Sequence, residues 1–218
     1  TPTEIVFGND SESKIGYLVR RYEGTKVLIH YGGKSAERSG LLNDICRQLD
    51  AEGILYVKLG GVVPNPRLSK VYEGIELCRK EGVNHILAIG GGSVIDSAKA
   101  IAYGLAYDGD VWDLFDGKAE AKACYPIGVV LTIPAAGSEM SNGCVITNEV
   151  GSRKRAYNND LARPKFAIMN PERTFSLSTY QTACGIVDIM MHTMERYFSQ
   201  EDDMILTDEL AESLLRTV

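Results

Sequence analysis

Three glycine-rich loops are the first features of the sequence whose residue types and spacing point to chemistry. Each follows a short apolar run: Gly32-Gly33 with Lys34-Ser35, then Gly60-Gly61 with Pro64-Asn65-Pro66, then Gly90 to Ser93. Glycine lets the backbone approach a phosphate without a Cβ in the way, and the amides at a helix N-terminus bind anions. None of the loops is a G-x-G-x-x-G motif, and each one alone can be a simple tight turn. Three in succession favour a site for a phosphorylated ligand.

A second candidate site is the pair Asp188-x-x-x-His192, which lies in a predicted helix. The i, i+4 spacing places both side chains on one face, where they can bind one divalent ion, form a local hydrogen bond or face solvent. The surrounding residues are apolar: Ile186, Val187, Ile189, Met190 and Met191. We therefore expect this turn to be buried. A buried carboxylate costs free energy unless it is paired or bound to metal, which favours a metal site.

The elements that position the loops alternate between strand-like and helix-like patterns from Lys26 to Gly104. Strands are predicted over residues 26–31, 54–59 and 85–89. Helices are predicted from a Ser35 cap to Gly53, over 68–81, and over 93–103. This alternation predicts an α/β fold with a parallel sheet and right-handed crossovers. The carboxyl ends of its strands, where ligands bind in such sheets, carry the three glycine-rich loops.

The alternation of strands and helices gives way to helices alone toward the end of the chain. A strand over 127–133, a hairpin over 145–148 and 153–158, and a strand over 166–169 are followed by two helices, 179–199 and 207 onward. We therefore predict a dinucleotide-binding domain over 1–175 and the beginning of an all-helical domain over 176–218. The chain opens inside a predicted strand and closes inside a helix, so we expect it to be truncated, with the remainder of the helical domain absent.

The composition excludes several classes of protein. The 218 residues include 23 basic and 29 acidic side chains, a net charge of −6, and no basic run, which argues against a nucleic-acid partner. The hydrophobic fraction of 44% excludes intrinsic disorder. No apolar run approaches the ~18 residues of a membrane span. Five scattered cysteines form no C-x-x-C pair, which predicts a reducing, cytoplasmic location.

Four motifs together resemble the iron-containing (group III, metal-dependent) alcohol dehydrogenases, most closely the NADPH-dependent butanol dehydrogenase-like branch. In order along the chain they are GGGSVIDSAK over 90–99, TIPAAGSE over 132–139, PxFAxxNP over 164–171 and GIVDxxxHTxExY over 185–197. The resemblance implies a Rossmann-like dinucleotide domain followed by an all-helical metal domain. It also implies oxidoreductase activity on a small alcohol or aldehyde, and a homodimer or larger assembly.

By this resemblance, the cofactor pyrophosphate would lie on Gly91, Gly92 and Ser93, with Asp96 near the nicotinamide. Asp96 can equally be an acid favoured by the helix dipole. Thr132 and Ser138 match positions that line the cofactor cleft, and either can be a turn cap instead.

The resemblance also places Lys154 near the cofactor ribose and Asn65 on the adenosine side. Their ordinary alternatives are a solvated hairpin lysine and a turn residue. The choice of cofactor depends on Gly32, Gly33, Lys34 and Ser35, because no acid follows the strand to bind a ribose 2′-hydroxyl. Lys34 and Ser35 can instead contact a 2′-phosphate. We expect NADP, with NAD as the alternative, although an exposed loop lysine is common.

The metal site departs from the pattern of the family, which needs one Asp and three His. Of the three histidines, His30 and His85 lie in predicted strands and are expected to be structural. Only Asp188 and His192 match, so the other two ligands are predicted beyond Val218. Fe²⁺ is the expected ion, and Zn²⁺ or Ni²⁺ suits the same donors.

The predicted function is hydride transfer between NAD(P)H and a small alcohol or aldehyde, with this chain alone inactive. No catalytic side chain is assigned. Two alternatives stay open: a glycerol dehydrogenase-like enzyme of the same fold, and a truncated nucleotide-binding fragment without catalysis. Substrate profiling distinguishes the glycerol dehydrogenase-like enzyme from the predicted alcohol dehydrogenase. The intact mass of the purified protein tests the second alternative.

Overall fold

The computed structural model describes residues 2–199 and 203–218. Its strands are β1 (Glu4–Phe7), β2 (Lys26–Tyr31), β3 (Leu55–Leu59), β4 (His85–Gly90), β5 (Ile127–Leu131), β6 (Gly143–Asn148), β7 (Arg153–Asn158) and β8 (Phe166–Met169). Its α-helices are α1 (Ile15–Arg21), α2 (Ser35–Arg38), α3 (Leu41–Ala51), α4 (Leu68–Glu81), α5 (Gly92–Ala106), α6 (Trp112–Phe115), α7 (Thr179–Tyr197) and α8 (Ile205–Thr217).

Six strands form one sheet in the order β1-β8-β5-β4-β2-β3, and all five pairings are parallel. The central strands β4 and β5 are buried along their whole length. Strands covered on both faces read as continuous apolar runs, which is why 85–89 and 127–131 are recognisable in the sequence. β6 and β7 form a separate antiparallel ribbon. The predicted α/β parallel-sheet fold is confirmed.

The helices that follow two neighbouring strands lie on opposite faces of the sheet. α3, which follows β2, packs with α1 in one core, whereas α5, which follows β4, packs with α4 in the other. β2 and β4 are adjacent and pair as far as Tyr31 and Ile89. Such a switch in direction opens a crevice between the carboxyl ends of the two strands. The topology therefore places a ligand site beside the loops that follow Tyr31 and Gly90.

The prediction of one helix from Ser35 to Gly53 is wrong in one respect, because the structure has two helices there, α2 and α3. Gly40 separates α2 from α3 with φ +78°, a left-handed conformation that helical spacing in the sequence does not reveal. Ser35 is also the first residue of α2 and not its cap. The prediction for α4 is confirmed: it spans Leu68–Glu81 and ends at Gly82 with φ +66°.

The two histidines of the sheet are fully buried. His30 is hydrogen-bonded through Nδ1 to the Leu59 carbonyl and through Nε2 to Ser97 Oγ, both at 2.9 Å. Burial lowers the pKa of His30 to about 4. His85 stacks on Phe166 with ring centroids 5.9 Å apart, and neither ring nitrogen has a hydrogen-bond partner among the described residues. Burial lowers the pKa of His85 to about 3.

The chain divides into two units between Arg173 and Thr174, and the sequence places its boundary near 175. Near the end of the first unit, Asn170 donates a 2.9 Å hydrogen bond to the buried Glu12 carboxylate, and Arg173 pairs with the same group at 2.5 Å. In the second unit α7 packs against α8. No helix among residues 2–199 and 203–218 combines the length and apolar character that a membrane span requires.

Candidate functional site

A cavity of about 440 Å³ lies at the N-terminus of α5, in the first unit. Half of the residues proposed from the sequence to bind the cofactor line it: Asn65, Gly92, Ser93, Asp96, Ser138 and Lys154. These residues come from two separate loops, one helix and the β6–β7 ribbon. The fold thus gathers into one concave surface side chains that are up to 89 positions apart.

The first wall is the start of α5. Gly91 precedes the helix in an extended conformation, and its carbonyl accepts the first helical hydrogen bond, from the Val94 amide at 3.0 Å. The first N–H groups of a helix have no intrahelical acceptor, and they attract anions. A Cβ on Gly91 would lie 2.4 Å from Ile133 Cγ2, whereas one on Gly92 would meet only Ala136 Cβ, at 3.9 Å. Glycine at 92 therefore leaves space that the protein itself does not need.

The second wall is the segment between β5 and β6. Asp96 Oδ1 accepts a 2.6 Å hydrogen bond from the Ser138 hydroxyl, and Oδ2 accepts one from the Val145 amide at 3.0 Å. Burial raises the pKa of the Asp96 carboxyl, and these two hydrogen bonds oppose that rise. Asp96 thus links α5 to the segment that faces the cavity, a bridging role beyond either alternative that the sequence suggested.

The third wall joins the proline-flanked loop to the β6–β7 ribbon. Lys154 donates a 2.7 Å hydrogen bond to Asn65 Oδ1, and the Thr147 amide donates to the Pro66 carbonyl at 2.9 Å. Glu149, at the end of the ribbon, accepts from both the amide and the hydroxyl of Ser69 and so caps the start of α4. The ribbon places the ammonium group of Lys154 at the cavity.

The other predicted cofactor residues do not line this cavity in the part of the chain that the structure describes. The carbonyl of Gly32 accepts a 2.8 Å hydrogen bond from the Gly61 amide, and the Thr132 amide donates to Gly90 at 3.1 Å. Gly33, Lys34 and Ser35 follow β2 at the same edge of the sheet. Gly91 lies immediately before the first residue of α5.

Sequence reasoning did not assign several residues of the site. Pro66, Ala135, Ala136, Ser141, Gly143 and Val145 also line the cavity. Lys99, which is fully buried, contacts the second wall with its ammonium group. Lys99 is a lysine among the apolar residues of α5, three positions after Asp96, and that placement is a signal from which the sequence could have identified it.

Asp188 and His192 share one face of α7, with 3.8 Å between Asp188 Oδ2 and His192 Nε2. Glu195 Oε2 lies 3.7 Å from His192 Nδ1. A carboxylate and an imidazole are the donor types that divalent transition metals accept, so this pair fits part of a metal site. Within residues 2–199 and 203–218, no group of three or more His, Cys, Asp or Glu side chains could hold a metal ion.

The predicted burial of this turn is wrong. The Asp188 and His192 side chains are 55% and 61% exposed, and the apolar neighbours Val187 and Met191 are also more than half exposed. An apolar helix face can be buried, but it is buried only where another element packs against it. Within the second unit α7 packs on α8, and α8 does not cover the turn that carries Asp188 and His192.

Comparison with known proteins identifies the family. The family model described as "Iron-containing alcohol dehydrogenase" matches residues 2–171. A probable NADH-dependent butanol dehydrogenase of Bacillus subtilis is 43% identical over 217 residues, which are 100% of this chain and 56% of that protein. The NADPH-dependent aldehyde reductase YqhD of Escherichia coli is 36% identical over 222 residues, which cover 100% of this chain and 56% of that protein.

A solved structure agrees with these sequence matches. The NADH-dependent butanol dehydrogenase A of Thermotoga maritima superposes with a TM-score of 0.94 at 43% identity, over 99% of this chain and 54% of that one. The chain thus spans about half the length of the curated relatives that it matches. Since the family model covers most of the chain and the fold agrees, the chain belongs to the iron-containing alcohol dehydrogenase family.

Proposed function

We propose that this chain supplies the cofactor-binding part of an NAD(P)H-dependent alcohol dehydrogenase or aldehyde reductase. The observation that carries the proposal is the cavity at the N-terminus of α5, beside the switch point between β2 and β4, into which six of the predicted cofactor residues converge. Residues 1–175 would form the dinucleotide domain, and 176–218 the beginning of the metal domain. The substrate would be a small alcohol or aldehyde, and the assembly a cytoplasmic homodimer or larger.

The residues of the chain would bind and orient the cofactor. Gly92 and Ser93 line the cavity, and their amides, at the positive end of the helix dipole, would bind the pyrophosphate. Lys154 adds a positive charge on the opposite side, next to Asn65. Ser138, held by Asp96, would contact the nicotinamide side. Bound NAD(P)H supplies the hydride for a carbonyl carbon, or accepts it from an alcohol.

Asp188 and His192 would provide two ligands of a divalent ion. Fe²⁺ is the expected ion, and Zn²⁺ and Ni²⁺ are the alternatives. Such an ion supplies a Lewis acid that stabilises negative charge on the substrate oxygen. The remaining ligands would come from outside the 218 residues, because His30 and His85 are buried in the sheet of the first unit.

The metal proposal is testable by binding alone. In equilibrium dialysis with Ni²⁺, Zn²⁺ or anaerobic Fe²⁺, Asp188→Ala and His192→Ala should each weaken binding by about tenfold or more, since each removes one of two ligands. Asp208→Asn, on α8, is the matched control and should leave the affinity unchanged. Unaltered metal binding by Asp188→Ala would contradict the assignment.

We also propose that NADP is the preferred cofactor, through Lys34 and Ser35 after β2. Lys34→Ala should weaken NADPH binding by about fivefold to tenfold and leave NADH binding nearly unchanged, because only NADPH carries the 2′-phosphate. Fluorescence titration with both cofactors measures this difference. Tighter binding of NADH by the unmodified protein would contradict the proposal. It would instead favour Glu37, whose carboxylate accepts a 3.0 Å hydrogen bond from Tyr31, as the ribose contact.

The reaction is tested by NAD(P)H-dependent butyraldehyde reduction with added Fe²⁺. We expect no turnover by this chain alone, and turnover by a form extended beyond Val218 to about the full length of the relatives. Faster oxidation of glycerol than of butanol by the extended form would favour the glycerol dehydrogenase-like alternative. Binding of dinucleotide without turnover in either form would favour a nucleotide-binding module.

A further inference from the structure

The ammonium group of Lys99 is enclosed by backbone carbonyls. Nζ donates to the carbonyls of Ser138 at 2.7 Å, Ser141 at 2.9 Å and Gly143 at 2.8 Å, and the hydroxyls of both serines lie at 3.2 Å. An ammonium has three donors, so the three carbonyls match its full capacity. The side chain is fully buried. Burial lowers the pKa of Lys99, and the Asp96 carboxylate opposes that shift.

The three carbonyls belong to the segment 138–143 that forms the second wall of the cavity. Ser138, Ser141 and Gly143 all line the cavity. Residues 138–142 are irregular and precede β6, which begins at Gly143. A segment without a ladder of hydrogen bonds must satisfy its inward-facing carbonyls by other means. Lys99 satisfies three of them at one point, so its ammonium sets the path of the segment.

Asp96 holds the same wall from one turn earlier on α5. It accepts from the Ser138 hydroxyl at the beginning of the segment and from the Val145 amide just after it. The helix whose N-terminus forms the first wall therefore also fixes the second wall, through two side chains that are three positions apart. Gly92 and Lys99 are connected by fewer than two rigid helical turns, so the distance between the two walls is fixed.

We propose that Lys99 is a positioning residue that sets the second wall of the cavity relative to the start of α5, and thereby orders the nicotinamide side of the cofactor site. The inference rests on the proposed dinucleotide function. Without the ammonium, the carbonyls of Ser138, Ser141 and Gly143 lose this donor and the segment 138–143 shifts. The phosphate-binding amides at Gly92 and Ser93 belong to the helix and stay in place.

This arrangement predicts a split between ligands that a general loss of stability would not produce. Lys99→Met should weaken NADPH and NADH binding by about tenfold or more, because both need the second wall. Binding of ADP should change by less than about twofold, because its phosphates need only the helix start and the adenosine side. Lys80→Met, at an exposed position of α4, is the matched control. Lys99→Gln keeps two donors, and it provides an intermediate case if Lys99→Met does not fold.

Two measurements decide the proposal. Isothermal calorimetry gives the affinities of the dinucleotides and of ADP, and amide hydrogen exchange on the protein without ligand reports the order of 138–145. We expect faster exchange in that segment and unchanged exchange at 92–97. Unchanged exchange at 138–145, or equal losses of ADP and dinucleotide affinity, would overturn the proposal. Failure of the unmodified protein to bind any dinucleotide would instead overturn the proposed function, and with it the functional part of the inference.

Discussion

Replacing Gly92 with alanine is expected to reduce dinucleotide affinity by roughly a hundredfold, about 2.8 kcal/mol, while the protein stays folded. The new Cβ would meet only Ala136 Cβ, at 3.9 Å, which is an ordinary contact. Alanine also favours a helix over glycine by up to about 1 kcal/mol. The added methyl group occupies space that a pyrophosphate would need. Titration with NADPH and a thermal melt of the same sample separate binding from stability.

Gly33→Ala is the comparison variant for this prediction. No described heavy atom lies within 4 Å of a Cβ placed on Gly33, and the residue does not line the cavity among the residues that the structure describes. Its substitution should therefore weaken binding much less than Gly92→Ala. Equal losses from the two variants would move the phosphate toward the loop after β2. No loss from Gly92→Ala would contradict the placement of the ligand.

Acidification is expected to destabilise the protein through its two buried histidines. Their folded-state pKa values, about 4 for His30 and about 3 for His85, lie below the ordinary value of 6.5. Below pH 6.5 the unfolded chain therefore binds protons that the folded chain does not. The contribution to stability is present above pH 6.5 and is lost as the pH falls toward 3. For His85 the loss is on the order of 4 kcal/mol.

His85→Leu should remove much of this pH dependence. The substitution breaks no hydrogen bond within the described structure, since both ring nitrogens lack a partner there. Urea unfolding at pH 7, 5.5 and 4.5 should show a free energy of unfolding that falls less steeply for the variant. His192→Leu, which removes an exposed imidazole, is the control for the loss of one histidine. A slope identical to that of the unmodified protein would refute the role given to His85.

The elements that the sequence predicts best are those whose signals are local. α4 and β8 agree with the prediction in both boundaries because a capping glycine or a proline stands next to a short apolar pattern. Five of the six cavity residues come together because the segments that carry them follow parallel strands, whose carboxyl ends share one edge. The sixth, Lys154, reaches the cavity from the antiparallel β6–β7 ribbon.

The parts that the sequence does not predict depend on distant contacts. The Lys99 ammonium meets carbonyls 39 to 44 positions away, in a segment with no periodic pattern. The break between α2 and α3 depends on the positive φ of Gly40 in an otherwise helical pattern. The turn around Asp188 has the composition of a buried segment, but composition gives no information about whether a partner covers it.

The most direct test of the central claim is an NMR titration of the ¹⁵N-labelled chain with NADPH. If the dinucleotide binds in the cavity at the start of α5, the largest shift changes will fall on the amides of Gly92, Ser93, Asp96, Ser138 and Gly143. Amides at the opposite edge of the sheet, such as Asn84, should not move. Saturable changes elsewhere, or none at millimolar cofactor, would contradict the account.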